Sequence, residues 1–332
     1  MTRVRRRVAW LCCGLALTWC AWNLRTPPRA VVVVPPTPST AVLIVADEYA
    51  QREYARTIAS MRAYATHNGY ALELWDPWSD AHAINRVDCA AFERLLFRRH
   101  CIARCLLRDR YTLLAAVDAD VVAVDVDRHI ESLFLTPRQA VVHEERFHTG
   151  EVQANAYAVR RGAFADAYLD GWARMEARTP RGHFSGGDNG ALHLHLLETL
   201  YGAGSPPAVQ CDALWRAASS ADAYDRYVGC ALTHLFNATS ADIRLVRRGH
   251  GFCRDLWVTE GRVAAGVDMW GHGLKSFDRM PGAALSVVAM RPLVAEADAV
   301  ARRVRPRALL PLARVGDCWP RCAEYWSVTA HY

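Results

Sequence analysis

Two carboxylates, Asp118 and Asp120, stand with one residue between them within the aliphatic run YTLLAAVDADVVAVDVD, residues 111–127. An ionised carboxylate is costly in a low-dielectric interior unless a partner compensates its charge. Residues two apart in a strand point to the same side, so these side chains could offer their oxygens to a single point. Hard divalent cations such as Mg²⁺ and Mn²⁺ prefer oxygen ligands. The alternative is a strand end that exposes both acids to water or to arginines, and D-x-D alone does not decide between the two.

A second stretch, MWGHGLKSFD at residues 269–278, combines an imidazole with an ammonium group. Lys275 is the only lysine among 40 basic residues, which indicates a position that needs a compact ammonium rather than a planar guanidinium. Chance survival of one lysine is the alternative. His272 stands between two glycines, where the backbone can approach a ligand closely, and imidazole binds transition metals such as Mn²⁺. Together with the two carboxylates, this set favours a metal-bound diphosphate whose negative charge the lysine helps to stabilise.

The elements that must position these residues follow an alternating pattern. Residues 41–46, residues 70–75 and the run before Asp118 are typical of strands, and apolar residues at helical spacing lie between them. The order β-α-β-α-β predicts an α/β fold with a mainly parallel sheet flanked by helices. Ligands of such sheets bind beyond the carboxyl ends of the strands, and Asp118 and Asp120 fall at such an end.

Four further elements are predicted towards the C-terminus. Residues 140–145 and 152–160 are typical of strands, and an alanine-rich helix is expected at about 163–177. A glycine-rich turn within residues 182–200 should enter a helix that Asp188 caps. His193 and His195 on that helix are interpreted as packing or surface residues, because a spacing of two places them on different faces. No structure is predicted for residues 201–260.

The N-terminal segment predicts a membrane anchor. Residues 8–24 carry no charge and reach the lower limit for a spanning helix, and the arginines that precede them would hold the N-terminus in the cytoplasm. We expect a cytoplasmic tail at residues 1–7, a transmembrane helix at 8–24 and a proline-rich stem at 25–40, with the remainder lumenal. A cleaved signal peptide is the alternative.

The formal net charge of +6 does not indicate nucleic-acid binding. Residues 1–40 contain six arginines and no acid, which leaves 34 basic and 34 acidic residues in the rest of the chain, so a basic footprint is absent. An even number of cysteines beyond the apolar segment is compatible with lumenal disulfides, and Cys318 with Cys322 could close a small loop. A zinc cluster is disfavoured because no C-x₂-C spacing occurs. Asn237 begins an N-glycosylation triplet.

Several stretches of the chain resemble a glycosyltransferase of the GT-A type. More narrowly, they are similar to the nematode-expanded nucleotide-diphospho-sugar transferases related to yeast and plant α-galactosyl and α-xylosyl transferases. The resemblance runs from about residue 41 to 280, and its most specific parts are FRRHCIARCLLRDRYTLLAAVDADVVAVD, ANAYAVRRGAFADAYLDGWARME, HFSGGDNGALHLHLLE and GHGLKSFD. It implies a Rossmann-like GT-A domain with a mixed, mainly parallel sheet at 41–284 and a C-terminal extension at 285–332.

The resemblance also implies roles for individual residues. The metal ligands would be Asp118, Asp120 and His272, and the nucleotide-binding set would be Asp118, Ala119, Asp120, His272, Gly273 and Lys275. Where the related enzymes carry an acidic pair and a glutamine near the reacting sugar, this chain has Gly187, Asp188 and Asn189. Asp188, Asn189 and Lys275 are therefore the candidate catalytic residues, although Asp188 could equally be a plain helix cap or serve both purposes.

These expectations combine into one functional hypothesis and two alternatives. We expect a Mn²⁺- or Mg²⁺-dependent enzyme that transfers galactose, glucose or xylose from a UDP-sugar to a glycan or glycoconjugate, with retention. It would be a single-pass type II protein of the Golgi or endoplasmic reticulum membrane. The alternatives are an inactive GT-A module that binds sugar nucleotide or glycan, and a lumenal nucleotide-diphosphate hydrolase. The sequence does not indicate the acceptor, the linkage or an oligomeric state.

Overall fold

The computed structural model describes residues 38–146, 150–181, 184–235, 238–247, 250–255 and 267–273. Predictions that fall outside these residues concern the membrane segment at 8–24, Asn237, Lys275, the pair Cys318 and Cys322, and the extension at 285–332. Within the described residues, no helix is both long enough and apolar enough to cross a membrane.

The described chain alternates strands and helices. Its strands are β1 (Thr40–Val45), β2 (Ala71–Trp75), β3 (Leu113–Val117), β4 (Val122–Ala123), β5 (Val141–Glu144), β6 (Ala156–Arg160), β7 (Ile243–Val246), β8 (Cys253–Asp255) and β9 (Trp270–His272). Its α-helices are α1 (Glu48–Glu53), α2 (Ala55–His67), α3 (Leu95–Asp109), α4 (Ala163–Arg174), α5 (Gly187–Tyr201), α6 (Pro206–Arg216) and α7 (Ala221–Leu235). Short helical turns are a π-helix at Ile84–Asp88 and 3₁₀-helices at Ile130–Leu133 and Met175–Arg178.

The strands form two sheets. The larger sheet has six strands in the order β2-β1-β3-β6-β5-β7. In it β1 runs parallel to β2 and β3, and β5 runs parallel to β7, whereas β6 is antiparallel to both of its neighbours. The second sheet has three strands in the order β4-β9-β8. The prediction of a mixed, mainly parallel sheet flanked by helices is therefore confirmed.

The core lies on both faces of the larger sheet. Strand β1 is buried along its whole length, which is the pattern of a strand covered by helices on both sides. Leu43 belongs to the apolar cluster that includes Ile102 of α3, whereas Ile44 belongs to the one that includes Met61 of α2. The aliphatic composition of β1 thus follows from its central place between two helix layers.

Several element boundaries differ from the predicted ones. Strand β1 begins at Thr40, the last residue of the expected stem, and β6 begins at Ala156 rather than at 152. Helix α3 begins at Leu95, and Glu176 supplies a cap from another part of the fold, since its carboxylate accepts hydrogen bonds from the backbone N–H groups of Glu93 (3.2 Å) and of the N-cap residue Arg94 (2.6 Å). Such a cap cannot be read from local sequence.

Disulfides occur as the cysteine content predicted. The structure pairs Cys89 with Cys101 and Cys211 with Cys230. Cys105 and Cys253 are buried free thiols. The region from 201 to 260, for which no structure was predicted, contains α6, α7, β7 and β8, and the second disulfide joins the two helices.

Candidate metal centre

Asp118 and Asp120 lie in the tight turn that follows β3, at its carboxyl end. The backbone N–H of Asp118 donates to the carbonyl of Asn155 (2.8 Å), and the N–H of Val121 donates to the carbonyl of Asp118 (3.2 Å). The hydroxyl of Thr57 donates to the carbonyl of Ala119. The expected geometry was wrong in one respect, because the two carboxylates converge through this turn and not through the alternation of a strand.

The imidazole of His272, at the end of β9, completes the cluster. One potential ligand atom from each of Asp118, Asp120 and His272 lies within 4.8 Å of the others. The Nε2 atom of His272 is 3.6 Å from Oδ2 of Asp118 and 3.4 Å from Oδ1 of Asp120. Strand β4 pairs with β9, with Val122 opposite Gly271. This pairing brings the two stretches singled out in the sequence to one point.

The charges of the cluster shift the pKa values of its members. Burial acts to lower the pKa of His272, but the carboxylates of Asp120, Asp255 and Asp118 outweigh it and raise the pKa to about 10. Burial acts to raise the pKa of Asp118, but Arg99 and His272 outweigh it and hold the pKa below its usual value. The carboxylate of Asp118 is thus ionised at neutral pH, as a metal ligand must be.

Sequence reasoning missed Arg99, a buried residue of α3 that contacts the same cluster. One guanidinium nitrogen donates to Asp118, and the other donates to Oδ2 of Asp188 (2.5 Å) and to the carbonyl of Ala154 (2.9 Å). A signal was present: position 99 continues the apolar series of Leu95, Ile102 and Leu106 at helical spacing. A buried arginine on an apolar helix face requires anionic partners, and here it has two, the buried Asp188 and the partly exposed Asp118.

Asp188 is a buried residue of the first turn of α5 and not its cap. The N-cap is Gly186, which has φ +67°, and its neighbour Gly187 has φ +60°. These two positive-φ residues move the start of the helix ahead of Asp188, whose carboxylate instead pairs with Arg99 and lies 3.5 Å from Nε2 of His100. The cap interpretation is wrong, whereas a contact between Asp188 and a sugar stays a prediction.

The other predicted site residues take different positions. The side-chain oxygen of Asn189 accepts a hydrogen bond from the backbone N–H of Ala154 (2.7 Å). Gly273 follows His272 with φ +91°, a conformation that favours glycine. His193 and His195 are buried packing residues. Nε2 of His193 accepts from the N–H of Val152 (3.0 Å).

Two carboxylates and one imidazole form a donor set that fits Mn²⁺ or Mg²⁺ and leaves further coordination positions for substrate oxygens. Across the described parts of the chain, the two other clusters of potential ligands each contain a disulfide, Cys89–Cys101 or Cys211–Cys230, and so cannot supply three free ligands. The cluster of Asp118, Asp120 and His272 is therefore the candidate metal centre.

Solved structures similar to this chain include three sugar transferases. A glycosyltransferase involved in glycosylation of the major capsid of PBCV-1 is 12% identical, with a TM-score of 0.42, over 80% of this chain and 100% of that one. Mouse xyloside xylosyltransferase 1 is 8% identical, with a TM-score of 0.36, over 72% and 98%. Drosophila beta1,4galactosyltransferase 7, in complex with manganese, UDP-Gal and xylobiose, is 17% identical, with a TM-score of 0.27, over 42% and 60%.

No curated protein sequence matches the chain. A family model does match, over residues 61–287, and its description is "Protein of unknown function, DUF273". The matched region holds α3, the turn after β3, the start of α5 and strands β8 and β9, and so contains every residue of the candidate metal centre. Because the match covers more than half of the 332 residues, the chain belongs to the DUF273 family.

Proposed function

We propose that the protein is a metal-dependent glycosyltransferase that moves a sugar from a UDP-sugar to a glycan or glycoconjugate. The observation that carries this proposal is the convergence of Asp118, Asp120 and His272 at the carboxyl end of β3. Ligands of open α/β sheets bind at such ends. An anionic diphosphate also needs a cation, which these three ligands are suited to hold.

The residues around the centre have distinct roles in this proposal. Asp118, Asp120 and His272 would hold Mn²⁺ or Mg²⁺, which when bound would neutralise charge on the donor diphosphate. Arg99 balances Asp118 and Asp188, so the carboxylate of Asp188 is fixed beside the centre, where the donor sugar would lie. Lys275, outside the described residues, is proposed to contact the diphosphate.

The finer assignments follow from the resemblance of the sequence motifs to related transferases. The donor would be UDP-galactose, UDP-glucose or UDP-xylose, and the anomeric configuration would be retained. In that reaction the bond between the sugar and the diphosphate breaks. The acceptor oxygen bonds to the same face of the sugar and passes its proton to the departing diphosphate. Residues 8–24 would anchor the protein as a type II protein in the Golgi or endoplasmic reticulum membrane, with the described domain lumenal.

The test follows nucleotide release by the full-length protein in detergent. UDP-galactose, UDP-glucose, UDP-xylose and GDP-mannose are compared with and without Mn²⁺, for the wild type, Asp120→Ala and Asp127→Ala. Asp127 is the control, because it is an exposed carboxylate near in sequence that pairs with His67 on the surface. We expect Mn²⁺-dependent release from one UDP-sugar, lowered at least about 100-fold in Asp120→Ala, the usual scale for removing one charge-stabilising group. Wild-type release by Asp120→Ala would refute the proposal.

A second candidate function is a module that binds sugar nucleotide without transferring it. The hydrogen bond from the backbone of Ala154 to Asn189 favours it, because this bond directs the side-chain oxygen of one candidate catalytic residue to the protein backbone. This alternative predicts Mn²⁺-dependent binding of UDP with no nucleotide release from any donor. Fast release that no acceptor accelerates would instead indicate the nucleotide-diphosphate hydrolase.

A further inference from the structure

The imidazole of His272 has a second partner behind the metal centre. Its Nε2 atom faces Asp118 and Asp120, and its Nδ1 atom pairs with Oδ1 of Asp255. Strands β8 and β9 are parallel, and Asp255 is the register partner of His272. Asp255 is fully buried, with no exposed surface. The small sheet thus sets this carboxylate directly against the imidazole.

Asp255 is itself part of a chain of alternating charge in which Arg146 is partly exposed and the carboxylates are buried. Its second oxygen, Oδ2, lies 3.2 Å from Nε of Arg146, and another nitrogen of Arg146 lies 3.3 Å from Oε2 of Glu151. The hydroxyl of Tyr224 on α7 donates to the other oxygen of Glu151 (2.5 Å). Each carboxylate in this chain faces a cation or a donor, which buried charges require.

We propose that Asp255, backed by Arg146, is the positioning residue that fixes His272 as a metal ligand. The proposal rests on the metal centre of the proposed function and deepens it. By accepting a hydrogen bond from Nδ1–H, Asp255 would keep a proton on that nitrogen, so that a metal displacing the proton of Nε2 would meet a lone pair directed at Asp118 and Asp120. Metal-binding histidines commonly depend on a carboxylate or carbonyl partner in this way, both for the tautomer and for the orientation of the ring.

The same region offers a matched control. Asp268 is also a buried aspartate paired with an arginine, since its Oδ1 accepts from Arg254 at 2.8 Å. Among the described residues, the ion pairs of His272 are with Asp118, Asp120 and Asp255. Losing Asp268 removes its ion pair with Arg254, whereas losing Asp255 removes its ion pair with Arg146 and also the partner of the imidazole.

The test measures Mn²⁺ binding to the full-length protein in detergent by isothermal titration calorimetry, for the wild type, Asp255→Asn and Asp268→Asn. We expect Asp255→Asn to bind Mn²⁺ roughly 10- to 100-fold more weakly than the wild type, which is the usual effect of losing such a partner. The amide can donate to Nδ1 and so move the ring proton to Nε2, the wrong nitrogen. Asp268→Asn should bind with the affinity of the wild type.

A spectroscopic readout separates positioning from general loss of stability. Pulsed electron paramagnetic resonance at saturating Mn²⁺ should show ¹⁴N modulation from the bound imidazole in the wild type and in Asp268→Asn. The modulation should be lost in His272→Ala and weakened or lost in Asp255→Asn. Unchanged affinity and modulation in Asp255→Asn would overturn this inference and leave the proposed function standing.

Two further outcomes are informative. If the wild type binds no Mn²⁺ or Mg²⁺, the proposed function fails and the positioning role fails with it. If Asp255→Asn does not fold, the positioning role is tested with Arg146→Met. This variant keeps Asp255 and an apolar side chain at position 146. Weaker binding by Arg146→Met would support the role of the pair, and wild-type affinity with wild-type modulation would overturn it.

Discussion

Arg99 contributes a buried guanidinium to the candidate centre, placed between the carboxylates of Asp118 and Asp188. It donates to Asp118 and to Asp188 and is itself almost completely buried. Asp118 follows β3 and Asp188 lies on α5, so this one side chain connects two elements that are far apart in sequence. Removing one member of a buried charge cluster leaves the others uncompensated, which costs far more than the loss of a surface pair.

Substitution of Arg99 by methionine should therefore be strongly destabilising. Arg99→Met keeps an apolar stem but removes the cation that pairs with buried Asp188 and leaves Asp118 with only His272 among the described residues, and we expect the free energy of unfolding to fall by about 3–5 kcal/mol. Urea denaturation measures this value. The neighbouring Arg98→Met is the matched control, because Arg98 is only partly buried and donates to backbone carbonyls. That variant should lose about 1 kcal/mol, and equal losses in the two variants would contradict the assigned role.

At the scale of elements, the start of α5 depends on glycines that allow close packing. Gly190 has no room for a side chain, because an added Cβ would lie 2.0 Å from the carbonyl oxygen of Ser185 and 3.0 Å from Nε1 of Trp215. That same carbonyl accepts a hydrogen bond from Trp215 (2.9 Å). The turn that precedes Asp188 is thus held by contacts that require glycine at 190.

Substitution of Gly190 by alanine should loosen this helix start. The new methyl group must displace the backbone at Ser185, and overpacking of this kind costs about 1–3 kcal/mol. Gly204→Ala is the control, because a Cβ there meets no atom within 4 Å and the residue precedes Ser205, the N-cap of α6, and it should change the free energy of unfolding by less than about 0.5 kcal/mol. Thermal and urea denaturation would both show the difference. A stable Gly190→Ala variant would mean that the turn tolerates movement.

The sequence predicted those elements whose signal is local. Strands β1, β2 and β3 and the helices between them carry continuous or periodic apolar patterns, and so the sheet and the place of Asp118 and Asp120 followed. The predicted start of α5 was wrong, because Asp188 does not cap the helix but pairs with Arg99, which is distant in sequence. Asp255 gave no signal at all, since its region has no clear pattern and its role depends on pairing with β9. Contacts between distant segments decide the parts of the site that local patterns cannot predict.

At the scale of the whole molecule, a group of buried histidines links stability to pH. His100, His143, His193 and His195 are all buried. Burial lowers the pKa of His143 to about 3 and lowers that of His100 and His195 to about 4. The same residues titrate near 6.5 in the unfolded chain. Between these values the unfolded state binds more protons, so the folded state must lose stability as the pH falls from about 7 towards 4.

The free energy of unfolding should therefore decrease steeply in that pH range, by up to about 1.4 kcal/mol per pH unit for each buried histidine. His143→Phe should show a shallower pH dependence than the wild type. Tyr168→Phe is the control, because it removes the hydroxyl that lies 2.8 Å from Nε2 of His143 but keeps the imidazole. Urea denaturation at several pH values from about 5 to 7.5, the range around the unfolded-state pKa, gives the slope of the free energy of unfolding against pH for each variant. Parallel curves for the wild type and His143→Phe would contradict the prediction.

The candidate metal ligands come from two different sheets, and they are therefore synthesised at different times during translation. The carboxylates follow β3, an early strand of the larger sheet, whereas the imidazole ends β9 of the smaller one. A nascent chain that has emerged only as far as β7 contains every strand of the six-stranded sheet but not yet the imidazole. If the cluster holds a metal as proposed, the full set of three ligands exists only once residue 272 has been synthesised. A chain terminated after β7 would then contain the strands of the larger sheet but lack one of the three proposed ligands, so binding of the metal would distinguish finished molecules from interrupted ones.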